Sequence, residues 1–185
     1  MKFMLPEGFV SLQHRDELEA FVDVLRIENV QRYLEVGTCN GGTFYRVLRG
    51  VPTANCGVAV DLPGAAWGKR NSKRSLLNVI ARLKRAGIDA SVIWGDSKSA
   101  EVQKAAAARA PFDAVFIDGD HTYDGVRSDW LAFGPLARIV AFHDIAAVGP
   151  RLEVPRFWAE LKATHRHLEI IGKEPGMGIG ILWRE

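Results

Sequence analysis

The sequence predicts an α/β protein built on a doubly wound, Rossmann-like and mostly parallel sheet. Two observations carry that expectation. Five short apolar runs end in a glycine cluster, RYLEVG (32–37), or in acidic residues, NCGVAVD (55–61), ASVIWGD (90–96), FDAVFIDGD (112–120) and ARIVAFHD (137–144). Segments with helical spacing lie between them, and strands that alternate with helices of this length require a parallel sheet covered on both faces. The tail, HLEIIGKEPGMGIGILWRE, differs: two strand-like runs flank a Pro-Gly turn with no helix between them, so they should pair antiparallel.

The elements follow in order. Residues 1–30 read as a helical cap segment, because Leu18, Phe21, Val22 and Leu25 recur at helical spacing from Arg15 to about Glu28. GTFYRVLRG, SKRSLLNVIARLKRAG, SAEVQKAAAARA, YDGVRSDWLAFGPL and PRFWAELKATH supply the remaining helices. Trp130, Trp158 and the methionines read as core, and His14, His165 and His167 as surface. At 185 residues, with 48% hydrophobic and 25% charged residues, the whole chain, 1–185, is expected to be one soluble domain. No uncharged apolar run approaches the ~18 residues of a membrane span. With no secretory signal and two unpatterned cysteines, a cytoplasmic protein without membrane contact is expected. The net charge of +2 demands no polyanion, and the basic stretch 69–85 lacks the interleaved aromatics that stack nucleic-acid bases, so no nucleic-acid partner is expected. That stretch reads by default as a solvated helix face, and Trp67 as either packing or a cover for a bound ring.

In an open sheet of this kind, ligands bind outside the carboxyl ends of the strands. Glu35, Asp61, Asp96, Asp118 and Asp144 therefore belong on one rim. The loop LEVGTCNGGTF follows the first strand and opens a helix, and Gly37, Gly41 and Gly42 allow close backbone approach to a ligand. It is not G-x-G-x-x-G, which argues against a NAD-dependent oxidoreductase, and it has no Gly-Lys-Ser/Thr for a triphosphate. Asp61 lies a little over ~20 residues beyond it, the spacing of a carboxylate that accepts from both ribose hydroxyls. Asp96 is placed to accept from an exocyclic adenine amine. Glu35 adds negative charge beside the loop, which repels phosphate and suits a cation.

YLEVGTCNGGTF, VAVD, GDS, FIDGDHTYDGVRSD, IVAFHD, VPRFWAEL and GMGIGIL together resemble class I S-adenosylmethionine-dependent methyltransferases. The closest branch is that of small bacterial O-methyltransferases related to macrocin O-methyltransferase and cephalosporin hydroxylase, and the likeness runs from Arg32 to the C-terminus. The resemblance implies a strand order of 3-2-1-4-5-7-6 with the seventh strand antiparallel. It puts Glu35, Gly37, Thr38, Asn40, Gly41 and Gly42 around the methionine part of the cofactor, Asp61 at its ribose, and Leu62, Asp96 and Ser97 at its adenine, with Asp118 also on the cofactor side.

The expected reaction is methyl transfer from S-adenosylmethionine to a hydroxyl of a small molecule or sugar-bearing metabolite; a non-catalytic module that binds the same cofactor is the alternative. Asp118 and Asp144 end adjacent strands, and with His143 or Asp120 they offer ligands for a divalent metal, magnesium or manganese. Relatives of the macrocin branch hold magnesium with an Asp after strand four and an acidic pair after strand five; the second pair here is His143-Asp144, which leaves zinc or no metal open as well. The catalytic candidates are Asp118, His121 and Asp144. His121 would take the proton in either chemistry, and a purely structural role for the whole cluster is the alternative. Self-association is expected on two grounds: the short N-terminal cap leaves the cleft little cover, and the apolar run GIGILW lies near the chain end.

Overall fold

The computed structural model describes residues 3–5, 8–64, 72–173 and 177–184. A two-stranded antiparallel ribbon, β1 (Phe3–Met4) and β2 (Val10–Ser11), precedes α1 (Arg15–Ile27). Then come β3 (Arg32–Val36), α2 (Gly42–Gly50), β4 (Cys56–Asp61), α3 (Ser72–Arg85), β5 (Asp89–Trp94) and α4 (Ala100–Ala107). β6 (Phe112–Ile117), α5 (Tyr123–Phe133), β7 (Ala137–His143), α6 (Val154–Lys162), β8 (Arg166–Ile170) and β9 (Ile179–Trp183) complete the chain.

Seven strands form one sheet in the order β5-β4-β3-β6-β7-β9-β8. Counted from β3 this is 3-2-1-4-5-7-6, as expected. β3 to β7 pair in parallel, and β9 runs antiparallel to both of its neighbours. Alternation along each strand sends side chains to opposite faces. Tyr33, Ala59, Phe116 and Ile139 meet α1, α2 and α3 through Phe21, Leu48 and Leu83. Leu34, Val58, Val115 and Val140 meet α4, α5 and α6 through Val102, Phe133 and Trp158. With apolar cover on both faces, every residue of β4 is buried. That is why these strands read as continuous apolar runs.

Several expectations change. The N-terminal segment is a ribbon plus a helix rather than a helix alone. Met4 is 70% exposed, whereas His14 is buried, its Nδ1 3.6 Å from Glu17 Oε1. Lys73, Arg74, Arg82, Lys84 and Arg85 do lie exposed on α3, while Trp67 and residues 69–71 fall outside the described residues. The apolar run near the C-terminus is β9, whose Ile179, Ile181 and Leu182 are interior, so it offers no apolar surface for self-association. Among the described residues, no helix is long and apolar enough to cross a membrane.

Candidate functional site

The sheet order reverses between β3 and β6, and a crevice opens at the carboxyl ends there, as topology requires. It holds two adjoining cavities that share Gly37, Cys39 and Asp118. The first, about 290 Å³, lies toward β4 and β5 and is lined by Asp61, Leu62, Asp96 and Ser97, with Lys98 and Asp120 at its rim. The second, about 250 Å³, contains Glu35, Thr38, Asn40 and Gly42 on one side and His121, His143 and Asp144 on the other. Val10, Leu12, Leu152 and Met177 give it apolar walls. Of the residues read from sequence, Gly41 alone lines neither; it starts α2 and faces Leu76 and Val79 of α3.

The glycine loop is shaped by contacts from both sides. Gly37 has φ +87, and a β-carbon there would lie 2.1 Å from the Asp118 carbonyl oxygen. Only glycine tolerates that pairing of left-handed backbone and close approach. The Cys39 amide, itself at φ 51, donates to Asp61 Oδ1 at 2.8 Å, so the β4 carboxylate ties the loop down. Burial raises the Asp61 pKa against that hydrogen bond.

Glu35 corrects the sequence reading. It points to the same face as Tyr33, two residues earlier, is 2% exposed and accepts from the Tyr33 hydroxyl at 2.7 Å. Burial first, and the nearby Asp118 and Asp61 carboxylates second, push its pKa well above the ordinary value despite the Tyr33 hydrogen bond.

Beside it, two carboxylates and two imidazoles alternate in a line. His121 Nδ1 is 2.8 Å from Asp144 Oδ2. His143 Nδ1 is 3.4 Å from Asp144 Oδ1 and 3.1 Å from Asp118 Oδ1. Asp144 reaches both rings from a left-handed backbone, φ 62, at the end of β7; strain of this kind persists where the surroundings over-determine it, often at functional sites. His143 lies over Phe116 with ring centroids 6.2 Å apart. Desolvation opposes its charge, but Asp118 and Asp144 together outweigh it and raise its pKa to about 10. His121 is raised on the same balance, and Asp144 is held well below the carboxylate range by the two rings.

Asp118, His143 and Asp144 each offer a ligand atom, and these atoms lie within 4.8 Å of one another. His143 Nε2 is buried without a hydrogen-bond partner. One nitrogen and two oxygen donors fit a divalent transition ion better than magnesium, which prefers oxygen throughout. A metal would have to displace the His143 proton to use Nδ1. Asp120 does not join this group. It pairs with Lys98 at 2.7 Å and accepts from the Thr122 amide and hydroxyl.

Sequence reading missed two features. Gln13, just before α1, lines the second cavity and donates to Asp118 Oδ2 at 2.7 Å. Asp129, on α5, is fully buried behind Gly119, and neither of its oxygens has a partner of good geometry. Burial raises its pKa to about 6, with the Ser97 hydroxyl offsetting only part of that. The unfolded carboxylate ionises near 3.8 and the folded one near 6. The folded state thus binds more protons between those limits, and Asp129 destabilises the protein increasingly as pH rises through that window. Urea unfolding across that range should show Asp129→Asn gaining stability relative to wild type up to about pH 6, then holding a constant difference. A difference that does not change with pH would contradict this.

Comparison with known proteins agrees with this geometry. The family described as "Methyltransferase domain" matches residues 34–145, from β3 to just beyond β7. No curated protein sequence matches the chain. Among solved structures, the O-methyltransferase TomG from Streptomyces achromogenes, of tomaymycin synthesis and in complex with S-adenosylmethionine, has a TM-score of 0.68 at 18% identity. The alignment covers 94% of this chain and 82% of TomG. An O-methyltransferase from Bacillus cereus, in complex with S-adenosylhomocysteine, gives 0.66 at 17% identity and covers 93% and 82% of the two chains. The S-adenosylhomocysteine-bound methyltransferase PaMTH1 of Podospora anserina gives 0.64 at 16%, covering 94% and 80%. These likenesses show the fold. The family match spans more than half of the chain and includes the strands and loops that build the cleft, so this protein belongs to the methyltransferase-domain family and has the class I methyltransferase fold.

Proposed function

We propose that the protein transfers the methyl group of S-adenosylmethionine to a hydroxyl oxygen of a small-molecule acceptor. The observation that carries this reading is the pair of cavities meeting at Gly37, Cys39 and Asp118, one with groups suited to adenosine and the other with a histidine–carboxylate chain. In this reading, Asp61 accepts from the ribose hydroxyls, Leu62 packs on the adenine, and Asp96 and Ser97 meet its polar edge. The methionine end lies along Gly37, Thr38, Asn40 and Gly42 at the start of α2, whose positive dipole end suits a carboxylate. Tomaymycin-synthesis TomG and the Bacillus cereus enzyme, which share this fold, are bound to this cofactor and its demethylated product, and that supports the choice of cofactor.

The acceptor then occupies the second cavity, with its apolar surface on Val10, Leu12, Leu152 and Met177 and its hydroxyl toward the imidazoles. The sulfonium donor is already a strong electrophile, so the protein's task is in-line positioning and removal of the hydroxyl proton. His121, oriented through Nδ1 by Asp144, takes that proton in its neutral form. Asp118 and Asp144 stabilise the imidazolium that results. If a divalent ion is used, manganese before magnesium given the imidazole, Asp118, His143 and Asp144 would hold it, and its charge would stabilise the alkoxide.

The test is label transfer. With methyl-labelled S-adenosylmethionine and a panel of hydroxylated acceptors, the label should appear on an acceptor oxygen. Cofactor that binds tightly yet stays unconsumed with every acceptor would instead indicate a binding module.

A further inference from the structure

The second cavity is walled on one side by the N-terminal segment, and one side chain joins that wall to the reactive cluster. Gln13 is 2% exposed. Its Oε1 accepts from the Ser11 hydroxyl at 2.8 Å and from the Thr43 hydroxyl of α2. Its Nε2 donates to Asp118 Oδ2 at 2.7 Å, across 105 residues of sequence. The neighbours dictate this orientation: an ionised carboxylate only accepts, so the amide nitrogen must face Asp118 and leave the oxygen for the two hydroxyls. A buried primary amide is costly unless both ends are partnered, and here both are.

The backbone on either side is equally constrained. A β-carbon on Gly42 would lie 2.0 Å from the Val10 carbonyl oxygen, so β2 sits directly on the first turn of α2. Residues 10–13 thus cover part of the cleft that the short N-terminal segment was expected to leave open. Asp118 is held at both oxygens, Oδ2 by Gln13 and Oδ1 by His143.

We propose that Gln13 is a positioning residue for methyl transfer: it fixes the Asp118 carboxylate and locks the N-terminal strap as one wall of the acceptor cavity. This rests on the methyl-transfer reading of the site. Gln13 reaches the first cavity only through Asp118, so its loss should act on turnover more than on binding at the adenosine end.

Two variants and one spectroscopic signal test it. Gln13→Glu keeps the shape but sets a carboxylate against Asp118; Gln13→Leu removes the donor altogether. Both should lower kcat about 10- to 100-fold, the loss expected for one hydrogen bond to a charged group, on whichever panel acceptor the wild type methylates. The calorimetric Kd for S-adenosylhomocysteine should stay within about twofold, well below the roughly 10-fold or more expected for loss of one such hydrogen bond. In the wild type, the side-chain amide protons of Gln13 should exchange slowly by NMR, and their signal should shift in Thr43→Val. Folded variants with wild-type kcat, or Gln13 amide protons exchanging at the solvent rate, would overturn the proposal. Should the variants fail to fold, the wild-type amide signal still decides. Failure of the methyl-transfer reading is distinguishable, because it leaves every acceptor unmethylated by the wild type whatever the Gln13 signal shows.

Discussion

Replacing Asp144 with alanine is expected to lower methyl transfer by about 10²- to 10⁴-fold, the range for loss of a positioned acid–base group, because Asp144 lies between His121 and His143 and contacts both. Without it, His121 loses the partner of its Nδ1 and with it a fixed ring orientation. His143 loses one of the two carboxylates that support its charge. Leaving part of a buried ion pair uncompensated costs about 3–5 kcal/mol, so the variant should also unfold at lower urea concentration. A chelator separates the two chemistries open to this cluster. If a metal is held by Asp118, His143 and Asp144, EDTA should abolish turnover as Asp144→Ala does, with cofactor affinity nearly intact. Because the metal and the His143 proton then compete, metal affinity should rise with pH. If no metal takes part, EDTA should have no effect, and His121→Ala should lose at least as much turnover as Asp144→Ala, which acts through it. Full turnover in Asp118→Asn, Asp144→Ala and His121→Ala alike would make the cluster structural.

The sheet was legible because parallel strands covered on both faces are apolar throughout and stop abruptly at the polar rim, as CGVAVD does at Asp61. α2 was legible from its glycines and the apolar spacing after them. The ribbon β1–β2 was not, since two-residue strands have no periodicity to detect. Gln13 escaped for a related reason: its partner lies 105 residues away, and SLQH resembles an ordinary helix start. Glu35 lines the second cavity but is more buried than its place at a strand end suggests. A charge at a strand end reads as facing solvent, whereas Glu35 shares the face of Tyr33 and is buried with it. Asp120 was offered as a metal ligand because it neighbours Asp118, but Lys98 and Thr122 draw it toward the first cavity.

Replacing Asp61 with alanine should weaken cofactor binding by about 2–3 kcal/mol, the contribution of hydrogen bonds to a charged group, or roughly 30- to 150-fold in Kd. Asp61 is buried at the wall of the first cavity, and one of its oxygens already holds the Cys39 amide. The variant therefore loses the proposed ribose acceptor together with one tether of the glycine loop, and both losses act in the same direction. The most direct measurement is titration calorimetry of S-adenosylhomocysteine into the wild type and Asp61→Ala, with EDTA present throughout. One-to-one binding by the wild type without metal, weakened at least 30-fold in Asp61→Ala, is the expected result. Absence of binding by the wild type, or equal affinity in the two proteins, would contradict the account.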